Sequence, residues 1–404
     1  MAIVRPFRAL RPPRDKAALV AAPPYDVINT REARALAAGN DDSFLHVSRP
    51  EIDLAEGVDE HAPEVYARAA ENLANLRARG VLATDPSPRL YLYAQRLGAH
   101  RQIGVVGCVS VDEYERDVIR KHEKTRADKE DDRTRHIDAV AAHDEPVFLA
   151  YRASRAIDAV VARATTAAPD YDFVSADGVG HTFWALDDDD TVELVARFAT
   201  VPTLYVADGH HRSAAATRVH ALRKGTAGEH DVFLAVLFPD DQLRIMAYNR
   251  LVRDRQRRDP AAILDALRAV LDVTPASSST PPEPRSMCFY VGGAWHLGRP
   301  RAGSWDASDP VASLDVSLCQ NLVLGPLFGI TDPRRDPDID FVGGIRGTEE
   351  LVRRVADEGW SLAVSMYPTS ISELLTVSDA GALMPPKSTW FEPKLRSGLF
   401  VHPF

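Results

Sequence analysis

The 404-residue chain predicts an α/β fold, in the broad sense that includes α+β, and three observations predict it. Stretches 90–95, 103–111 and 232–238 are rich in Val, Ile, Leu, Phe and Tyr, as buried strands are. Segments 62–79 and 260–271 instead carry apolar residues at helical spacing, with Val65, Ala69, Leu73 and Leu76 on one stripe and Ile263, Leu264, Leu267 and Val270 on another. Between them, residues 203–207 run as a strand into Asp208-Gly209 and then into an alanine-rich helix.

Size and composition bound the function classes. At 45% hydrophobic and 26% charged residues, the chain has the composition of an ordinary globular protein. A formal net charge of −10 argues against wrapping nucleic acid by charge alone, but leaves room for a local cationic pocket. The three cysteines, Cys108, Cys288 and Cys319, form no CxxC pair, so neither a disulfide framework nor a cysteine-built zinc site is expected. No apolar run approaches the ~20 residues of a membrane helix and the N-terminus lacks a signal-peptide core, so the expected location is the cytoplasm, with neither membrane nor nucleic acid as partner.

The elements follow in order. Pro23-Pro24-Tyr25-Asp26 cannot be helix interior, because two prolines fix φ and remove donors. Asn29-Thr30 reads as a cap for a helix over 32–38, with Asp26 either a second candidate for that role or a catalytic carboxylate. The helix over 62–79 stops at Gly80. Residues 113–140 are strongly charged and read as one helical stretch, and 187–190 read as an acidic loop. Strands are expected at 146–151, 203–207, 232–238 and 361–366, and helices at 213–223, 260–271, 314–324 and 349–358. Residues 276–284, rich in Ser, Thr and Pro, read as a linker or loop tip. Three regions result: a loop-rich and helical start over 1–90, a core over 91–255, and a C-terminal α/β region over 256–404.

The loop Asp208-Gly209-His210-His211-Arg212 carries the most chemistry. Free N–H groups at a helix N-terminus, backed by the helix dipole, form an anion site. Gly209 lets the backbone approach a ligand, Arg212 offers a planar fork for phosphate oxygens, and His210 and His211 add donors. Two other readings of the residues remain: a metal site and a structural Asp-Gly turn.

The strand, Asp-Gly-His-His-Arg and helix resemble the phosphate-binding box of the ParB/sulfiredoxin superfamily, and within it the free-serine kinases. Across nearly its whole length the chain also resembles the domain of unknown function 1015 family. That likeness rests on Ala22-Pro23-Pro24-Tyr25-Asp26-Val27, His122-Glu123-Lys124-Thr125, Ala207 through Arg212, Asp340-Phe341-Val342-Gly343-Gly344 and Met384 through Trp390. The resemblance implies a ParB/sulfiredoxin-like core over 91–255 with N-terminal and C-terminal additions, the last returning a lysine segment to the site.

It also implies roles. Gly209, His210, His211 and Arg212 would hold donor phosphates, and Glu123 would take the proton from a substrate hydroxyl, with Asp208 as a second catalytic carboxylate. His122, Lys387, Ser388 and Thr389 would bind the acceptor. The expected activity is a small-molecule kinase with free L-serine or a similar hydroxy amino acid as acceptor, giving O-phosphoserine. The donor would be ATP, ADP or pyrophosphate with its Mg²⁺, and no protein-built metal site is expected; Asp338 and Asp340 more often close a turn than hold an ion. Some 85 residues separate Glu123 from Asp208, an insertion able to reshape the acceptor pocket. The alternative is a ParB-like nucleotide-dependent switch with no small-molecule acceptor. Sulfiredoxin chemistry needs a cysteine where this chain has His210.

Overall fold

The computed structural model describes all 404 residues as a mixed α/β protein, arranged in two compact units. The first unit comprises 1–121, 125–243 and 393–404; the second comprises 122–124 and 244–392. Residues 1–90, expected as a region of their own, lie within the first unit, as do the last twelve residues, 393–404.

The first unit is built on a nine-stranded mixed sheet. Val232–Pro239 is buried at all eight positions, because it lies between two neighbours: it runs parallel to Val147–Tyr151 and antiparallel to His100–Ser110. Such a continuous apolar run is what a strand covered on both faces requires. Leu204–Asp208 pairs antiparallel with Val147–Tyr151 and parallel with the short strand Ile119–Arg120. Helix Pro63–Ala78 buries Val65, Ala69, Leu73 and Leu76, as its periodicity predicts. A capping box closes on Asn29 and Glu32 ahead of helix Thr30–Ala37, so Asn29 caps this helix and Asp26 does not.

Two charged stretches differ from their sequence reading. Residues 113–140 are not one helix: helix Val111–Glu115 ends, Asp117 turns at φ 57°, Ile119–Arg120 pairs with Leu204 and Tyr205, and a second helix runs Ala127–Val140. Buried Ile119 supplies the reason, since its pairing with the sheet outweighs the helix preference of its charged neighbours. Residues 187–190 are not a loop; Asp187 caps helix Asp188–Phe198, and the acidic residues occupy its first turn, where the helix dipole favours them.

The second unit holds a six-stranded antiparallel sheet, in the order Leu271–Pro275, Ala294–Pro300, Met287–Val291, Leu362–Met366, Tyr248–Val252, Ile339–Gly343. Residues 276–284 form a loop between strands of this one sheet and join no separate domains. Helices Pro260–Val270 and Gly347–Glu358 agree with their apolar patterns, while the expected helix at 314–324 contains a π-helical segment, Cys319–Leu324. Asp338 pairs with Arg255 and Asp340 with Arg354, so both carboxylates already have cationic partners. No helix is long and apolar enough to cross a membrane.

Candidate functional site

In the first unit, strand Leu204–Asp208 delivers the box and helix His210–Leu222 begins immediately after Gly209. The helix starts three residues earlier than its pattern predicts, which puts His210, His211 and Arg212 in its first turn. Gly209 sits at φ 95° and ψ 28°, a left-handed conformation that glycine adopts without a Cβ penalty. Space dictates glycine as well: a Cβ there would lie 3.0 Å from Arg212 Nε and 3.1 Å from its Cζ. The guanidinium therefore lies across Gly209, at the helix N-terminus.

Asp208 is held from three sides. Lys394 Nζ lies 3.0 Å from Oδ2, Arg212 Nη2 lies 3.9 Å from the same oxygen, and Oδ1 accepts the Gly209 N–H at 3.0 Å. Burial alone would raise the Asp208 pKa, but Lys394 and Arg212 together outweigh it and hold the carboxyl well below the usual range. An ionised Asp208 already neutralised by two cations is a poor ligand for a metal ion.

Arg212 is itself oriented from behind. Its Nη1 donates to the Pro146 carbonyl. Burial opposes its charge, while Asp208, Asp26 and Glu145 favour it and leave the net shift upward. Glu145 is buried, accepts from the Tyr25 N–H at 3.0 Å and the Ser397 hydroxyl at 3.0 Å, and has Arg133 Nη1 at 3.9 Å. Burial pushes the Glu145 pKa up against the pull of Arg212. Arg133 stacks on the Tyr25 ring, with Cζ 3.9 Å from its centroid. The Pro-Pro-Tyr-Asp motif is thus brought to the box, and Asp26 acts there through its charge on Arg212 and His211.

His211 Nε2 accepts the Arg126 N–H at 3.1 Å, at the start of helix Ala127–Val140, and burial lowers the ring's pKa. A neutral ring with an occupied Nε2 fixes the loop before that helix. His210 is buried in the first turn.

In the second unit, His122 and Glu123 lie not on a helix but in the loop before one, where the His122 carbonyl accepts the Met384 N–H at 2.7 Å. That bond places the His-Glu segment beside the lysine segment Met384 through Trp390. Lys387 adopts φ 59°, and its Nζ lies 5.3 Å from the Tyr248 ring centroid. The Ser388 hydroxyl donates to the Pro385 carbonyl at 2.6 Å and the Thr369 hydroxyl to the Ser388 carbonyl at 2.9 Å, so Ser388 stiffens the turn. Thr389 follows in the same turn, half-buried.

Sequence reasoning missed Glu145, Arg133 and Lys394. Glu145-Pro146 ahead of a strand and Pro393-Lys394 near the chain end were the available signals, but each is an ordinary dipeptide without its partners.

Comparisons with known proteins add the following. The family model described as "Protein of unknown function (DUF1015)" matches residues 4–317. A search of curated proteins finds no significant match. Among solved structures, the chain is similar to a conserved hypothetical protein from Pyrococcus furiosus, at 12% identity and TM-score 0.38, over 74% of this chain and 95% of that one. It is similar to a free serine kinase in complex with AMP, at 11% identity and TM-score 0.39, over 73% and 91%. A third is SbnI with C-terminal truncation from Staphylococcus aureus, at 12% identity and TM-score 0.40, over 74% and 87%.

Proposed function

The chain belongs to the DUF1015 family, and from that premise we propose that it is a small-molecule kinase whose acceptor is a hydroxy amino acid, free L-serine first among them. One observation carries the reading: Gly209, at φ 95°, opens a helix N-terminus across which the Arg212 guanidinium lies, beside an Asp208 kept ionised by Lys394. That arrangement suits the oxygens of a donor phosphate, which want N–H donors, a planar fork and a helix dipole together.

Phosphoryl transfer asks for alignment and charge stabilisation more than for covalent chemistry. In this reading the backbone from Gly209 to His211 and the Arg212 fork take the donor phosphates of ATP, ADP or pyrophosphate, with Mg²⁺ bound on those phosphates. Asp208 orients Lys394 and Arg212. His211 keeps the box fixed to the helix that starts beyond Arg126. Glu123 accepts the hydroxyl proton, a contribution of ~10²–10⁴-fold for a positioned carboxylate. Lys387, with Ser388, Thr389 and His122 around it, neutralises the acceptor carboxylate or the charge that develops on transfer. A cytoplasmic location completes the proposal.

The test is to incubate the protein with each donor, Mg²⁺ and a panel of hydroxy amino acids, and to measure O-phosphoserine. Glu123→Gln is expected to lose ~10²-fold or more in kcat while calorimetry still detects donor binding. Donor hydrolysis that no acceptor stimulates, together with retention on DNA, would overturn the kinase and favour the ParB-like switch.

A further inference from the structure

Two features of the second unit are each costly and share one hydrogen bond. The first is Arg250, on strand Tyr248–Val252 and only 3% exposed. Its Nη1 donates to the Tyr248 carbonyl and its Nη2 to the Lys387 carbonyl at 3.1 Å, while its Cζ lies 5.6 Å from the Phe341 ring centroid. Burial lowers its pKa, and the groups that act on it, Cys319 and Tyr248, include no carboxylate. A buried guanidinium held by carbonyls alone is an expensive way to fill space, since an apolar side chain of similar volume is usually no worse for stability.

The second feature is Lys387 itself. It is a non-glycine residue at φ 59°, a strained conformation that persists only where the surroundings enforce it. The surroundings here are specific. Ser388 bonds back to Pro385, Thr369 holds Ser388, and a Cβ on Gly343 would lie 2.7 Å from the Trp390 indole, which packs flat on that glycine. Those contacts fix the residues after 387. Arg250 is what fixes the carbonyl of Lys387.

We propose that Arg250 is a positioning residue for Lys387, its guanidinium holding the left-handed turn that sets where the ammonium group points. This deepens the kinase reading and rests on it only for the activity readout. An apolar residue at 250 would fill the same space, but no apolar group could tether that carbonyl. Without the tether, the turn relaxes toward negative φ, and the Lys387 side chain leaves with it.

A double-mutant cycle tests the coupling. Lys387→Met is expected to lower kcat ~10²-fold, the scale of one lost charge-stabilising donor. Arg250→Gln should cost at least tenfold in kcat with the donor KM unchanged, and nothing further in the Lys387→Met background. Equal losses in both backgrounds would overturn the proposal. Arg250→Lys, which keeps a cation in the strand but cannot span both carbonyls, covers the case in which the Gln variant does not fold. Should the wild-type protein phosphorylate none of the acceptors, the kinase reading fails alone. The crystal structure of Arg250→Lys still decides the inference: Lys387 leaving the left-handed region supports it, and Lys387 staying there ends it.

Discussion

Gly209 and Lys387 occupy the same backbone region, at φ 95° and φ 59°, one in each candidate segment, and yet one is glycine and the other lysine. At 209 the backbone and the packing agree: the left-handed turn favours glycine, and a Cβ would press on the Arg212 guanidinium. At 387 they disagree. A glycine would suit the turn better, so the lysine side chain is retained against local preference, and Arg250 and the Ser388 turn supply what the backbone lacks. In the proposed reading, the backbone binds in the first segment and the side chain in the second.

The sharpest way to break this comparison is at the group that both defines and fills the first segment. Arg212→Met leaves Glu145 and Asp208 with one cation fewer in a buried setting, an expected loss of ~3–5 kcal/mol in urea denaturation together with donor binding. Gly209→Ala comes next, with an expected loss of ~1–3 kcal/mol from strain at φ 95° and contact with Arg212. Lys387→Gly should go the other way, stabilising by up to ~1 kcal/mol as the strain at φ 59° is relieved, while lowering phosphotransfer. A destabilised Lys387→Gly would mean that the lysine contributes to folding and would dissolve the contrast.

Lys394→Met also leaves Asp208 with one cation fewer, and its signature is the pH dependence. The folded-state pKa of Asp208 is depressed, so its contribution to stability is present above the unfolded value of ~3.9 and is lost as pH falls below it toward the folded value. Removing Lys394 weakens that depression. The gap in Tm between wild type and variant should therefore be widest near neutral pH and close as pH drops below ~4; a gap independent of pH would show that Lys394 acts through packing.

Local signals were legible where local physics decides. The Asn29 cap needs only Glu32 three residues on, helix Pro63–Ala78 needs only its own apolar stripe, and the box needs only a strand, a glycine and a helix in succession. Those signals failed in the charged stretch at 113–140, where Ile119 was outvoted by its neighbours in sequence but not by its partner strand. Nor did they show that His211 Nε2 accepts the Arg126 N–H, 85 positions away.

From the sequence alone came the α/β class, most strands and helices, the family resemblance and the identity of the Asp208–Arg212 box, because each depends on residues a few positions apart. Tertiary structure alone decided which polar groups meet across long stretches of chain within each unit. Lys394 reaches Asp208 across 186 positions, Glu145 meets Ser397 across 252, and Arg250 holds the Lys387 carbonyl across 137. Burial makes such pairings strong, and burial is a property of the folded chain that no short segment carries.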